Sequence, residues 1–277
     1  MTTTAHEGGR VGASRLRHQA RILWVIAATD YKLKYAGSAL GYVWSVVKPL
    51  ALFTLMYLVF GQLFNLVDIS EYYPLALLIG IVLFSFFGDA TSLGMTSVVA
   101  NATLVRRLSF PRTIVPVSAT ITAAITFGVN AIVVAGFIAW NGLTPQLEWL
   151  WLVPLMVELY VVVVGVSLVL SALFVFFRDI GQVWELLLQL LFYATPVIYP
   201  VGFLPPWARD LAFLNPITQI LQDVRAIVIY PDPGGITITA PDALATGRLL
   251  PISIAIGIFV GGLVLFRRLE PTFAERV

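Results

Sequence analysis

Long apolar runs separated by short polar segments dominate the chain. A helix needs about 20 predominantly apolar residues to cross a bilayer. Runs of that kind lie at 42–65, 72–94, 112–140, 149–177, 183–201 and 248–267. The fifth is the least regular. The first carries Lys48 near one end, where its long side chain reaches the interface. The pattern predicts an all-α integral membrane protein, a single transmembrane domain over 1–277 with transmembrane helices 1–5 in 42–201 and helix 6 at 248–267.

Three stretches are periodic but too short or too polar to span. In an N-terminal helix assigned to 14–34, Leu16, Ala20, Leu23, Trp24, Ala27 and Tyr31 recur at helical spacing, with Arg15, Arg17, His18, Arg21 and Asp30 opposite. A basic face opposed to Trp and Leu suits a helix lying in the membrane interface; packing on a soluble partner is the alternative. Around 98–108, Asn101 is placed to cap a short helix carrying Leu104, Val105 and Leu108, with Arg106 and Arg107 between them and Pro111 ending it. Such a helix is a topology anchor or a docking element. In 203–230, after Pro196, Pro200, Pro205 and Pro206, a short helix is predicted with Trp207, Leu211 and Leu214. Asn215-Pro216 then reads as an N-cap and first-turn proline of a second helix. Its apolar side is Ile217, Ile220, Leu221, Val224, Ile227 and Val228; Thr218, Gln219, Gln222, Asp223 and Arg225 lie opposite. Both pieces read as re-entrant gate helices or as connectors lying on the membrane. Residues 231–247 read as an exposed loop or small hairpin.

Composition agrees with a lipid environment: 59% of the 277 residues are hydrophobic and 12% are charged, against roughly 25% charged in soluble domains. Basic residues set the orientation. With the N-terminus inside, 14 of the 17 Lys and Arg fall on the cytoplasmic side, and only Arg209, Arg225 and Arg248 fall outside. Both termini are therefore expected in the cytoplasm. Residues 1–21 are polar and basic, without the pattern of a cleavable signal.

Little in the sequence suggests chemistry. There is no cysteine, and His6 and His18 lie in the N-terminal tail. No G-x-x-x-x-G-K-[ST] loop occurs, so any ATP used is bound elsewhere. Glu158 is the one acidic residue well inside a span, with no evident intramembrane basic partner. Asp89, Asp179 and Glu185 sit near the cytoplasmic boundary. Gly257 and Gly261 form a G-x-x-x-G that permits close helix contact and hence a dimer.

Three segments carry a resemblance. Residues 29–50, TDYKLKYAGSALGYVWSVVKPL, hold Lys32, Lys34, Tyr35, Ser38, Leu40-Gly41, Trp44 and Pro49-Leu50. Residues 101–118, NATLVRRLSFPRTIVPVS, hold Asn101, Leu104, Phe110, Pro111 and Arg112. Residues 193–200 read YATPVIYP. Together they resemble the membrane subunits of bacterial polysaccharide ABC exporters of the O-antigen and teichoic-acid type, with cell-wall galactan exporters of actinobacteria among the relatives.

The resemblance implies a homodimer enclosing a wide channel in the plasma membrane, with two ATP-binding cassette subunits docked beneath. ATP and magnesium would belong to those partners, with no cofactor in this chain and no nucleic acid involved. A lipid-linked polysaccharide would enter beside Tyr35, Leu40, Gly41, Tyr42 and Trp44. The helix at 98–108, with Asn101, Leu104, Arg106 and Arg107, would couple to the ATPase, seconded by Arg178 and Asp179. Tyr193, Tyr199, Trp207, Asn215, Pro216, Gln219 and Gln222 would line the channel or its outer gate at 203–230. Aromatic faces stack on sugar rings, so Tyr57, Phe84, Phe86 and Phe87 join the candidates for the path; interface anchoring and core packing are the alternatives. Rival readings are an ABC exporter of a drug or lipid, a secondary transporter or channel, and a membrane enzyme acting on lipid-linked sugars, for which Asp68 and Glu71 are the nearest acidic pair.

Overall fold

The computed structural model describes residues 21, 23–25, 27–29, 31–32, 43–107, 111–229 and 237–276, with the side chains of 104, 105, 107, 274 and 275 outside the description. It is helical throughout the described spans. Among the described residues, five helices are long and apolar enough to cross a bilayer: α1 (Trp44–Leu63), α2 (Tyr73–Ala100), α4 (Ile114–Trp140), α5 (Leu147–Phe176) and α9 (Leu249–Thr272). Between them lie α3 (Ala102–Arg107), α6 (Ile180–Ala194), α7 (Pro206–Phe213) and α8 (Pro216–Val228).

The fifth expected span, 183–201, differs from its prediction. Helix α6 has 15 residues, about 22 Å at 1.5 Å per residue, short of a hydrocarbon core of about 30 Å. It ends because Thr195 precedes Pro196 and takes an extended conformation, φ −80° and ψ 131°.

Helix α2 is the centre of the bundle. It packs against α1, α4, α5, α6 and α8 and buries residues on every side, from Leu75 and Leu78 to Phe87 and Ala90. Small residues bring α5 and α9 into backbone contact: a Cβ built on Gly165 would lie 2.7 Å from Phe259 Cα. Gly262 faces Gly165 from the other helix. The predicted Gly257–Gly261 pair does not make this contact, since neither glycine has an atom of another segment within 4 Å of its Cβ position. The pair lies one face away from the α5–α9 seam.

The N-terminal amphipathic helix is legible in its described part. Residues 21, 23–25, 27–29 and 31–32 are helical or continue the helix. Ala27 is buried and its carbonyl accepts from Thr122 Oγ1 of α4 at 3.2 Å, while Trp24 is exposed. In the loop before α9, Thr239 and Asp242 form a capping box on the short helix Ala240–Ala243, where a loop or hairpin was expected. Residues 231–236 lie outside the described residues. The Thr239 hydroxyl holds the Asp242 carboxyl below its ordinary value.

Candidate functional site

The spans have two chemically distinct ends. At one end lie α3, the turn 177–179 and the end of α9, with Arg106, Arg112, Arg178, Arg267, Arg268 and Arg276. The other end carries 64–72, 141–151, 195–229 and 237–248.

The basic end begins where α2 stops. Asn101 was expected to open the following helix; instead it closes the preceding one, its Nδ2 donating to the Ser97 carbonyl at 3.0 Å. The short helix therefore starts at Ala102 rather than at 98 and is described through Arg107; residues 108–110 lie outside the described residues. Arg106 is exposed. Arg178 is exposed and sits over the Phe174 ring, 5.2 Å from its centroid, with the exposed Asp179 at the start of α6. Arg112, five residues past Arg107, donates its backbone N–H to Glu270 Oε1 at 3.0 Å and its guanidinium to the Glu270 carbonyl. The terminal turn Phe273–Arg276 packs on α3, and Phe273 is fully buried against Phe176 and Phe266.

Beside this end, a cavity of about 750 Å³ opens between α1, α2 and α4. Trp44, Ser45 and Lys48 of α1, Ser85, Asp89 and Ser92 of α2, and Asn130 of α4 supply the polar part of its lining. Trp44, expected at a substrate entrance, lies on the wall of this cavity; Tyr35, Leu40, Gly41 and Tyr42 lie outside the described residues. Pro49 has no N–H to offer the carbonyl four residues before it. That carbonyl, on Ser45, accepts from Asn130 Nδ2 at 3.1 Å instead.

The predicted aromatics separate into two groups. Phe84 and Phe87 are core residues, packed on Phe192 and Trp184 with ring centroids 5.2 and 5.9 Å apart. Phe86 packs on Phe127, their rings tilted and 4.8 Å apart, but also lines the cavity. Tyr57 is half-buried, with its hydroxyl accepting from Gln62 Nε2. Tyr193 is exposed, and its carbonyl accepts from the Tyr199 hydroxyl at 2.9 Å.

The opposite end is built on a broken backbone. Pro196 and Pro200 stop α6 from continuing, and three successive carbonyls of that segment are satisfied by buried side chains. Arg225 donates to Pro196 O at 2.7 Å and Val197 O at 2.6 Å, and to Ala76 O at 2.9 Å. The Tyr73 hydroxyl donates to Ile198 O at 2.8 Å. Non-helical backbone at membrane depth is tolerated when protein satisfies it in this way. Asn215 caps α8 as predicted, accepting from Ile217 N at 3.0 Å with Pro216 in the first turn, and its Nδ2 reaches Thr195 Oγ1 at 3.1 Å. Trp207 on α7 is exposed.

Helix α8 departs from its predicted two-faced character. Thr218, Gln219, Gln222 and Asp223 are fully buried, and of the apolar residues opposite Ile217, Ile220, Leu221, Val224 and Val228 are buried too, with Ile227 half-buried. Asp223 accepts from Arg248 Nε at 2.7 Å and Nη2 at 3.0 Å, and from Gln219 Nε2 at 2.7 Å. The Asp223 hydrogen bonds hold the Arg248 guanidinium above its ordinary value. Glu158 lies in the same groove of about 460 Å³ as Gln219, Asp223 and Arg248. Sequence spacing gave no sign of that basic neighbour, because Arg248 is 90 residues away from Glu158. Arg225 is the residue that sequence reasoning missed. Its signal was an arginine on a helix preceded by a run of prolines whose backbone needed donors.

Residues 21–229 match the family model described as ABC-2 type transporter. The chain is 30% identical over 261 residues to the O-antigen export system permease protein RfbA of Klebsiella pneumoniae, covering 92% of this chain and 94% of that protein. A Myxococcus xanthus protein of the same name is 26% identical over 211 residues, 74% of this chain and 79% of that protein.

Proposed function

The chain belongs to the ABC-2 type transporter family, and from that premise we propose that it is the membrane subunit of an exporter of lipid-linked polysaccharide. The observation that carries this reading is similarity to an O-antigen export permease over nearly the full length of both chains. The aromatic-flanked cavity beside Trp44 supports it: a largely apolar wall set with hydroxyls, a lysine and a ring face suits a sugar or sugar-phosphate passing rather than resting.

In this reading two copies enclose the path. The apolar face that α6 exposes, with Val183, Leu186, Leu187 and Leu190, supports a second copy or lipid against it. The basic end faces the cytoplasm of a bacterial plasma membrane, as the excess of arginine there argues. Separate ATPase subunits bind ATP and magnesium and dock at Ala102–Arg107 and at Arg178 and Asp179, where exposed charge supplies specificity. Helices α7 and α8, on the broken backbone, form the outer gate.

The test is co-expression with the ATPase encoded beside it, comparing the wild type with an Arg106→Ala, Arg107→Ala double variant. The expected result is a stable complex in which the variant keeps ATP turnover but loses export, with lipid-linked glycan accumulating in the membrane. Normal export by the variant would overturn the docking assignment. Absence of any associated ATPase would overturn the exporter reading.

A further inference from the structure

Helix α9 is held at both ends by residues of other elements. At the basic end, Arg112 reaches the Glu270 carboxylate through its backbone N–H at 3.0 Å and the Glu270 carbonyl through its guanidinium. At the opposite end, Asp223 of α8 grips Arg248 through two bonds of 2.7 and 3.0 Å. Both placements suit the helix dipole, which favours a cation at the C-terminus and an anion at the N-terminus. The two clamps join different machinery. Arg112 follows α3, and the turn after α9 packs directly on α3; Asp223 sits in the helix proposed as the outer gate.

Between the clamps, α9 runs 21 residues, Leu249–Leu269, about 32 Å. Along its length it touches α5 at Gly165 and Gly262, where backbone meets backbone. On either side of that crossing Val164 and Leu168 of α5 pack with Phe259, Leu263 and Phe266 of α9, so α9 is held along α5 and transmits a displacement as a rigid body.

We propose that α9 is the strut that couples the basic end to the outer helix, with Arg112, Glu270, Arg248 and Asp223 as its positioning residues. This rests on the exporter reading only in naming α3 as the ATPase contact. A shift of α3 would draw on α9 through Glu270 and the buried Phe273, and α9 would draw on α8 through Arg248. The buried anion of Asp223 has no other cation within bonding distance among the described residues, so it follows Arg248 rather than releasing it.

The absence of native cysteine makes the test clean. An Ile227→Cys substitution places a thiol on α8, in the groove beside Arg248, and its maleimide labelling rate is measured in native membranes without ATPase. Glu270→Ala at the far end is expected to change that rate about threefold or more. Glu270→Gln, which keeps an acceptor for the Arg112 N–H, is expected to restore it. Glu185→Ala, at the same end but on α6, is expected to leave it unchanged. If Glu270→Ala does not fold, Arg112→Gln removes the guanidinium bond alone and takes its place. No change with Glu270→Ala or Arg112→Gln, or an equal change with Glu185→Ala, would overturn the strut. Failure of ATPase association would overturn the exporter reading and leave this labelling result standing.

Discussion

Asn130 on α4 donates its side-chain amide to the Ser45 carbonyl on α1 at 3.1 Å, filling the place of the N–H that Pro49 lacks. The same amide donates to Thr126 O at 3.1 Å, so the asparagine is fixed in its own helix while it completes another. Both residues lie on the wall of the cavity beside Trp44. The bond therefore shapes the path that the polysaccharide reading requires. Asn130→Leu keeps the volume, removes the donor and strands a buried carbonyl. We expect a loss of about 1–2 kcal/mol, read as a drop in thermal midpoint in detergent. Asn130→Gln with an unchanged midpoint is the control for side-chain reach, and an unchanged midpoint for the leucine variant would refute the role.

Gly80 makes room for Arg225. A Cβ at Gly80 would lie 2.5 Å from Arg225 Nη2 and 3.1 Å from the Val197 carbonyl. That guanidinium cannot swing aside, because three carbonyls hold it. Alanine raises helix propensity over glycine by about 1 kcal/mol, yet Gly80→Ala is expected to destabilise. Arg225→Met should be worse, leaving the Ala76, Pro196 and Val197 carbonyls with fewer donors, at about 1–3 kcal/mol for each stranded group. Limited proteolysis at 195–205 is the readout, with faster cleavage expected in both variants. Protection equal to the wild type in Arg225→Met would show that the clamp is dispensable.

The spans, the N-terminal amphipathic helix and the Asn215-Pro216 start were legible because each is written in adjacent residues: an apolar run, a 3.6-residue period, a cap followed by proline. The burial of the polar side of α8 was not. Gln219, Asp223 and Arg225 read only as the polar side of a two-faced helix, since their partners are Arg248 and the carbonyls of 76, 196 and 197, which only the fold brings near. The same holds for Asn101. An asparagine between two helical segments can close one or open the next, and only the bond to Ser97 O decides it. The length of α6 was overestimated because Val197, Ile198 and Val201 continue the apolar run while Pro196 ends the helix.

The Asp223–Arg248 pair is lopsided in exposure: the aspartate side chain is fully buried and the arginine is 48% exposed. Losing either partner therefore has unequal consequences. Arg248→Met strands a buried anion, which costs about 3–5 kcal/mol when its partner is removed. Asp223→Asn leaves a half-exposed cation that water and headgroups solvate, and the asparagine still accepts from Gln219. We expect the arginine variant to lose far more stability in denaturant or heat, and the Arg248→Met, Asp223→Asn double variant to recover most of that loss. Equal losses from both single variants would mean that the pair acts only as a surface ion pair.

Two glycine pairs on neighbouring faces of the α5–α9 seam should answer alanine in opposite directions. Gly257 and Gly261 meet nothing within 4 Å, so alanine there adds helix propensity and touches no atom of this chain. Gly165 is different: its Cβ would meet the Phe259 backbone at 2.7 and 2.8 Å, and backbone cannot rotate away as a side chain does. Gly165→Ala must push α9 off α5 along the seam that packs Val164 and Leu168 with Phe266. The strain of overpacking is about 1–3 kcal/mol, larger than the propensity gain. We expect Gly261→Ala to hold or raise the thermal midpoint and Gly165→Ala to lower it. Dimer content measured on the same samples separates the two uses of glycine. A Gly261→Ala variant that stays stable but loses its dimer would assign the Gly257–Gly261 face to the contact between copies. One that keeps its dimer would leave that face to lipid.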